Sequence, residues 1–214
     1  MLVNGVHLLP DLSGALLWPK ERLLALADPA GGKACLDRLA QVLRQVQPRT
    51  VIRLGGCAID RTAPQLRRVA VDCEWVELDG EAAEWCRGDL TFRAMPRVDA
   101  APGEVAGAVH PQAAVALAAG RLVRPCFVFD GRRLVLPAFA APAGRADVLD
   151  PRMRPLFKRC FSVIMLGQGR LQAFTRARLE AIEKPRGPDT VAEEPGSPSS
   201  IGARAPMGVR VRLL

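Results

Sequence analysis

The chain has 214 residues, 49% of them hydrophobic and 24% charged, which suits one domain with a sizeable core and is short for two. No apolar run reaches the roughly 18 residues that a membrane-spanning helix requires, so no membrane partner is expected. A net charge of +8 favours a phosphate-rich partner, while 5% aromatics and no tyrosine argue against a base-stacking platform.

The N-terminal stretch MLVNGVHLLPDLSG lacks a basic segment and carries Asp11 where a signal peptide stays apolar, so the chain reads as cytoplasmic. The six cysteines form no C-x-x-C pair and no zinc-ligand spacing, and are expected to be free thiols. The surplus positive charge is arginine scattered along the chain, as at Arg67-Arg68, Arg132-Arg133, Arg152 and Arg154.

Taken in order, GALLWPKERLLALAD reads as two short strands joined at Pro19-Lys20. KACLDRLAQVLRQVQ sets Leu36, Leu39, Leu43 and Val46 on one helical face, and Pro48 ends that helix. TVIRLGG is a strand running into glycines, APQLRRVAV a weaker helix, and EWVELDG the next strand. This β-α-β-α-β alternation predicts a parallel sheet with crossover connections. Beyond it, LTFRAMP, EVAGAV, RPCFVFDGRRLVLPAFA and FSVIMLGQGRLQAF read as strands and hairpins turning at Asp130-Gly131 and Gly167–Gly169. AAVALAAGRL is ambiguous, since alanine favours helix and its neighbours favour strand. The expected architecture is α/β, two mixed sheets packed face to face and flanked by helices, over residues 1–180. The remainder, 181–214, is rich in Pro, Gly and Ser and predicts a disordered tail.

In open α/β sheets, ligands bind beyond the carboxyl ends of strands. Three such ends carry a glycine turn with a carboxylate: Asp28, Asp60, and Asp79 with Glu81. Gly31-Gly32-Lys33 offers a phosphate loop, but Ala27 and Ala34 stand where its first glycine and its magnesium-binding hydroxyl belong. Ser13 and Ser162 lack a nucleophile elbow, and with only two histidines in the chain a serine hydrolase is poorly supported.

The order of these pieces resembles the calcineurin-like metallophosphoesterases. It looks closest to the ligase-associated DNA damage response endonuclease (PdeM) subfamily. The segments that carry the resemblance are GALLWPKERLLALAD, TVIRLGG, GEVAGAVHP and, most specifically, RPCFVFDGRRLVLPAFAAPAG followed by VLDP. It implies a four-layered α/β sandwich and a two-metal centre of manganese or iron type that hydrolyses phosphoesters. The implied partners are DNA or proteins of the same repair pathway: a ligase, a helicase or a nuclease.

Most implied ligands are substituted. The first motif, Asp-x-His, reads Asp28-Pro29-Ala30, and the Gly-Asp turn reads Gly55-Gly56 without its bridging carboxylate. The Asn-His-Asp loop corresponds to Asp79-Gly80-Glu81-Ala82, a later His falls near Ala94, and Gly-His-x-His reads Gly107-Ala108-Val109-His110. Asp28 and His110 remain as vestigial metal ligands, with Asp60, Asp79 and Glu81 as conceivable substitutes. Two readings follow: a degenerate, catalytically impaired phosphoesterase that binds metal weakly or not at all, or an active phosphoesterase or endonuclease with an atypical metal site.

Overall fold

A computed structural model describes residues 1–182 except Ala30, Val71, Ala119, Pro142, Ala143, Lys158 and Arg159. The segment expected to form a tail lies outside the described residues from Glu183 onward. Strands β1 (Leu2–Val3) and β2 (Val6–His7) form a small hairpin. The first sheet follows, with β3 (Leu9–Pro10), β4 (Leu16–Trp18), β5 (Leu23–Ala27), β6 (Thr50–Leu54) and β7 (Glu74–Leu78) adjacent in that order. Its first pairings are antiparallel, whereas β5, β6 and β7 run parallel, with Ala25 opposite Ile52 and Ile52 opposite Val76. The link between β4 and β5 is a 3-10 turn at Pro19–Glu21, closed by Arg22 at φ 49°.

Parallel neighbours need crossovers, and α1 (Gly32–Val46) supplies the first. Its buried side chains are Cys35, Leu39, Ala40, Val42 and Leu43, which pack on Leu24, Leu26 and Val51 of the first sheet. Gln47 ends it in a left-handed conformation, donating N–H to the Leu43 carbonyl at 2.9 Å ahead of Pro48. The second crossover is not a helix. APQLRRVAV folds as successive turns, with Leu66 N–H bonded to Ala63 O and Ala70 N–H to Leu66 O. Among the described residues there, Pro64 and the run of exposed arginines leave Ala63, Leu66 and Ala70 buried, too little apolar surface to hold a regular helix.

The second sheet contains β8 (Glu84–Arg87), β9 (Leu90–Arg93), β10 (Glu104–Ala106), β11 (Pro111–Leu117), β12 (Gly120–Phe129), β13 (Arg133–Val135), β14 (Ala146–Asp147), β15 (Ser162–Leu166) and β16 (Leu171–Thr175). Its order is β14-β11-β12-β13-β10-β9-β8, with the β15–β16 hairpin also on β12. The β9, β10 and β13 strands are parallel, and most other pairings are antiparallel. In AAVALAAGRL, the residues through Leu117 belong to β11 and those from Gly120 to β12, with the alanines at 113 and 114 buried against neighbouring layers.

The inner faces of the sheets share one core: Leu16, Trp18, Leu23, Ile52 and Leu54 against Phe92, Val105, Phe127, Leu134 and Leu136. The outer face of the second sheet is covered by Val148, Met153, Phe157 and Phe161. This covering segment contains a 3-10 turn at Pro151–Met153, and Pro155 removes a donor that a longer helix there would use. The N-terminal hairpin is tied to the second sheet: Asn4 donates its N–H to Gly131 O at 2.7 Å and its side-chain amide to Asp89 O at 3.0 Å. Among the described residues, no helix is long and apolar enough to cross a membrane.

Candidate functional site

The carboxyl ends of β5, β6, β9 and β10 converge where the two sheets meet. Ala27, last in β5, is bridged to Ala138, and Phe139 N–H bonds to Ala27 O at 2.7 Å, which joins the second sheet's chain to the first. Gly107 follows β10 at a point of close approach. A Cβ there would lie 2.8 Å from both Ala27 Cβ and Leu54 O, so only glycine fits.

This convergence brings Asp28 and His110 together. Oδ2 of Asp28 lies 2.8 Å from Nε2 of His110, with the side chains 14% and 18% exposed. Yet the buried Oδ2 has no hydrogen bond of good geometry, its approach to the imidazole nitrogen included. The contact is a close approach of two ligand-type atoms rather than an aligned pair. Both residues are in left-handed backbone conformations, φ 42° and 52°, and Ala108 between Gly107 and His110 adopts φ 55°. Such a conformation costs about 1–2 kcal/mol for a residue with a Cβ. Strain of this kind is found where a loop once had, or has, a reason to hold that shape.

Gly55 and Gly56 close the other side. A Cβ on Gly55 would sit 3.0 Å from Asp28 Oδ1 and 3.7 Å from Ala94 Cβ, so the turn packs against both residues. A Cβ on Gly56 would sit 2.5 Å from Asp28 Cα and 2.9 Å from its carbonyl carbon. The turn has closed onto the backbone of Asp28. No side chain fits at Gly56 unless the main chain moves.

The remaining candidates are engaged elsewhere. Asp79 is held by Arg53, whose Nη1 and Nη2 reach its two oxygens at 2.8 and 2.6 Å. Arg53 is 2% exposed, and its guanidinium also binds Glu77 at 3.0 Å and the Gly55 and Gly56 carbonyls, each at 3.0 Å. The cation thus ties the ends of β6 and β7 to the glycine turn from below. The Arg53 hydrogen bond, with its charge, holds the Asp79 carboxyl below the usual carboxylate range. Asp60 lies on an exposed turn, accepting from Thr62 N–H and Oγ1 at 2.9 and 2.6 Å, and the Thr62 hydroxyl lowers its pKa. Glu81 is exposed and takes part through its main chain, its carbonyl accepting from Arg97. Lys33, of the glycine-lysine turn, pairs with Asp37 one helical turn on at 2.7 Å. Ala30 lies outside the described residues.

Among the described residues, no group of three or more His, Cys, Asp or Glu side chains is placed to hold a metal ion. Asp28 and His110 could supply two ligands to a single ion, and a two-metal centre does not fit the residues present.

The chain is similar to the crystal structure of the Pseudomonas putida nuclease MPE, with a TM-score of 0.60 and 22% sequence identity over 81% of this chain and 98% of that one. The two share a fold. No family model matches the chain, and no curated protein does. The likeness to that nuclease spans nearly its whole length, so the shared part is the two-sheet body rather than an appended motif.

The Asp79 geometry fixes a dependence on pH. Its contribution to stability is complete above the ordinary aspartate pKa of about 4 and is lost as pH falls below it, since the folded state holds that proton less tightly than the unfolded chain. In denaturant unfolding, Asp79→Asn should be less stable than the parent at neutral pH and close to it in strong acid. An equal deficit at both pH values would show that the ion pair is not the source.

Proposed function

We propose that this chain is a degenerate calcineurin-like metallophosphoesterase of the ligase-associated DNA repair (PdeM) group. It acts by binding nucleic acid or a repair protein rather than by hydrolysis. The observation that supports it most is Gly56, whose turn lies against Asp28 where the family's bridging carboxylate is expected. A second is Ala108, which keeps a strained φ of 55° although alanine offers no ligand in return. Beneath the turn, Arg53 gives a fixed positive charge that binds the strand ends together, so the loops need no metal to hold their shape.

One observation favours a second reading, an active phosphoesterase or endonuclease with an atypical metal site. Asp28 Oδ2 and His110 Nε2 stand at the separation of two adjacent ligands without an aligned hydrogen bond. In that case a single manganese or iron-type ion would rest on Asp28 and His110.

The two readings are separated by purifying the full chain from manganese-supplemented growth, measuring its metal content, and assaying a chromogenic phosphodiester and single-stranded DNA. The degenerate reading expects substoichiometric metal and no turnover above that of Asp28→Ala. Turnover lost in both Asp28→Ala and His110→Ala, with one metal per chain, would overturn it in favour of the second.

A further inference from the structure

Arginines that are scattered in the sequence gather at the other end of the first sheet. Arg22 immediately precedes β5, Arg49 precedes β6, Arg44 lies in the last turn of α1, and Arg68 lies in the turns leading to β7. All four are exposed and line one recess of about 650 Å³. Strands β5 and β6 separate it from Asp28 and Gly55 by roughly 20 Å at the usual rise per residue.

The charge in this recess is largely uncompensated. Among the described residues, Asp72 is its one acidic lining residue. Arg22 donates to the Gln47 carbonyl at 2.7 Å, and among the described residues Arg44, Arg49 and Arg68 have no carboxylate within ion-pair distance. The adjoining groove, which Arg22 and Arg49 also line, adds Lys20 and Arg87 against Glu21 and Glu74, with Glu21 paired to Arg87 at 2.9 Å, so it leaves the excess of positive charge in place. Like charges held together raise the energy of the free protein, and an anion that bridges them lowers it. A guanidinium fork matches phosphate oxygens in pairs. The recess floor is Leu43, Pro48, Val69 and Cys73, with no aromatic ring to stack a base.

We propose that this recess seats the phosphodiester backbone of a nucleic acid, without regard to sequence, on the pole opposite Asp28 and His110. The inference rests on the reading that the partner is nucleic acid, and it can fail separately from that reading. Contacts to phosphate position a duplex but carry no base information, so binding should be sequence-tolerant and steeply salt-dependent.

The test uses the full chain and a fluorescent duplex of about 20 base pairs, with a single strand of the same length and phosphatidylserine vesicles as further arms. Each phosphate contact contributes about −0.9 to the slope of log affinity against log salt on a duplex. Arg44→Glu/Arg49→Glu/Arg68→Glu should therefore bind at least about tenfold more weakly and with a slope shallower by about 3. Arg132→Glu/Arg170→Glu/Arg178→Glu makes the same charge change elsewhere on the exposed surface and should lose far less. The glutamine triple at 44, 49 and 68 repeats the measurement without charge reversal. Phenylglyoxal labelling of the unmutated chain, with Arg49 and Arg68 protected by the duplex, reads the same contact without any variant. Unchanged affinity in both triples at 44, 49 and 68, or equal loss in the control triple, overturns the site while leaving nucleic-acid binding intact. Vesicle binding that depends on these arginines, with duplex binding indifferent to them, overturns it in favour of a lipid surface. An unmutated chain that binds neither nucleic acid overturns the underlying reading as well.

Discussion

Replacing Glu104 by alanine should lower the stability of the domain by about 3–5 kcal/mol, the largest single-residue effect expected in this chain. Glu104 lies on β10 and is 1% exposed. One carboxylate oxygen stands 2.5 Å from Arg133 Nε, and the other accepts the Arg97 N–H at 2.8 Å and lies 3.6 Å from Arg93 Nε. Arg133 is 7% exposed at its side chain and, among the described residues, otherwise donates to the carbonyls of Leu156 and Arg97. Removing the carboxylate leaves that guanidinium buried beside Arg93 with no counter-charge, which costs far more than the pair itself contributes. Urea unfolding measures the loss. The double variant Glu104→Met/Arg133→Met should recover much of it, because an apolar pair of similar volume avoids desolvating two ions. Additive losses in the double variant would sink this account.

The second large effect is expected at Gly56. Placing a carboxylate in the tight glycine turn with Gly56→Asp should destabilise the fold by about 2–5 kcal/mol, combining a left-handed backbone with overpacking. The glycine has φ 83°, and the new Cβ would meet Asp28 Cα at 2.5 Å, a main-chain atom that cannot rotate aside. No gain of metal binding or turnover is expected. A Gly56→Asp protein that melts at the parent temperature and takes up manganese would show that the turn is free to reopen.

Much of the fold could be read from local pattern, because local pattern produces it. The spacing of Leu36, Leu39, Leu43 and Val46 sets one face of α1, and the all-buried run Leu23–Ala27 is a central parallel strand. Strand β8 gave little signal, since Glu84, Cys86 and Arg87 are exposed and only Trp85 packs inward, tilted on Phe92. At the candidate site, Asp28 and His110 follow strands β5 and β10, far apart in the sequence, and only the fold sets Oδ2 and Nε2 2.8 Å from each other. Asp79 looked like a free carboxylate because its partner, Arg53, is set by parallel register: Arg53 opposes Glu77, and its guanidinium then reaches two residues further. The arginines at 22, 44, 49 and 68 look dispersed for the same reason. Arg44, Arg49 and Arg68 lie on the crossovers between parallel strands and Arg22 in the antiparallel β4–β5 turn, connections that all enter the next strand at the same pole.

The layout also orders events during synthesis. Every strand of the first sheet is made by Leu78, whereas the residues that cover its inner face, such as Phe127 and Leu134, come much later. At about 5–20 residues per second, the roughly 60 residues from the end of β7 to Leu136 take several seconds to emerge. During that interval Leu16, Trp18, Ile52 and Leu54 face water or a chaperone, and the Asn4 hairpin waits for Gly131. The nascent chain is thus most prone to aggregation midway through translation, with half of its core already made and its cover still unsynthesised.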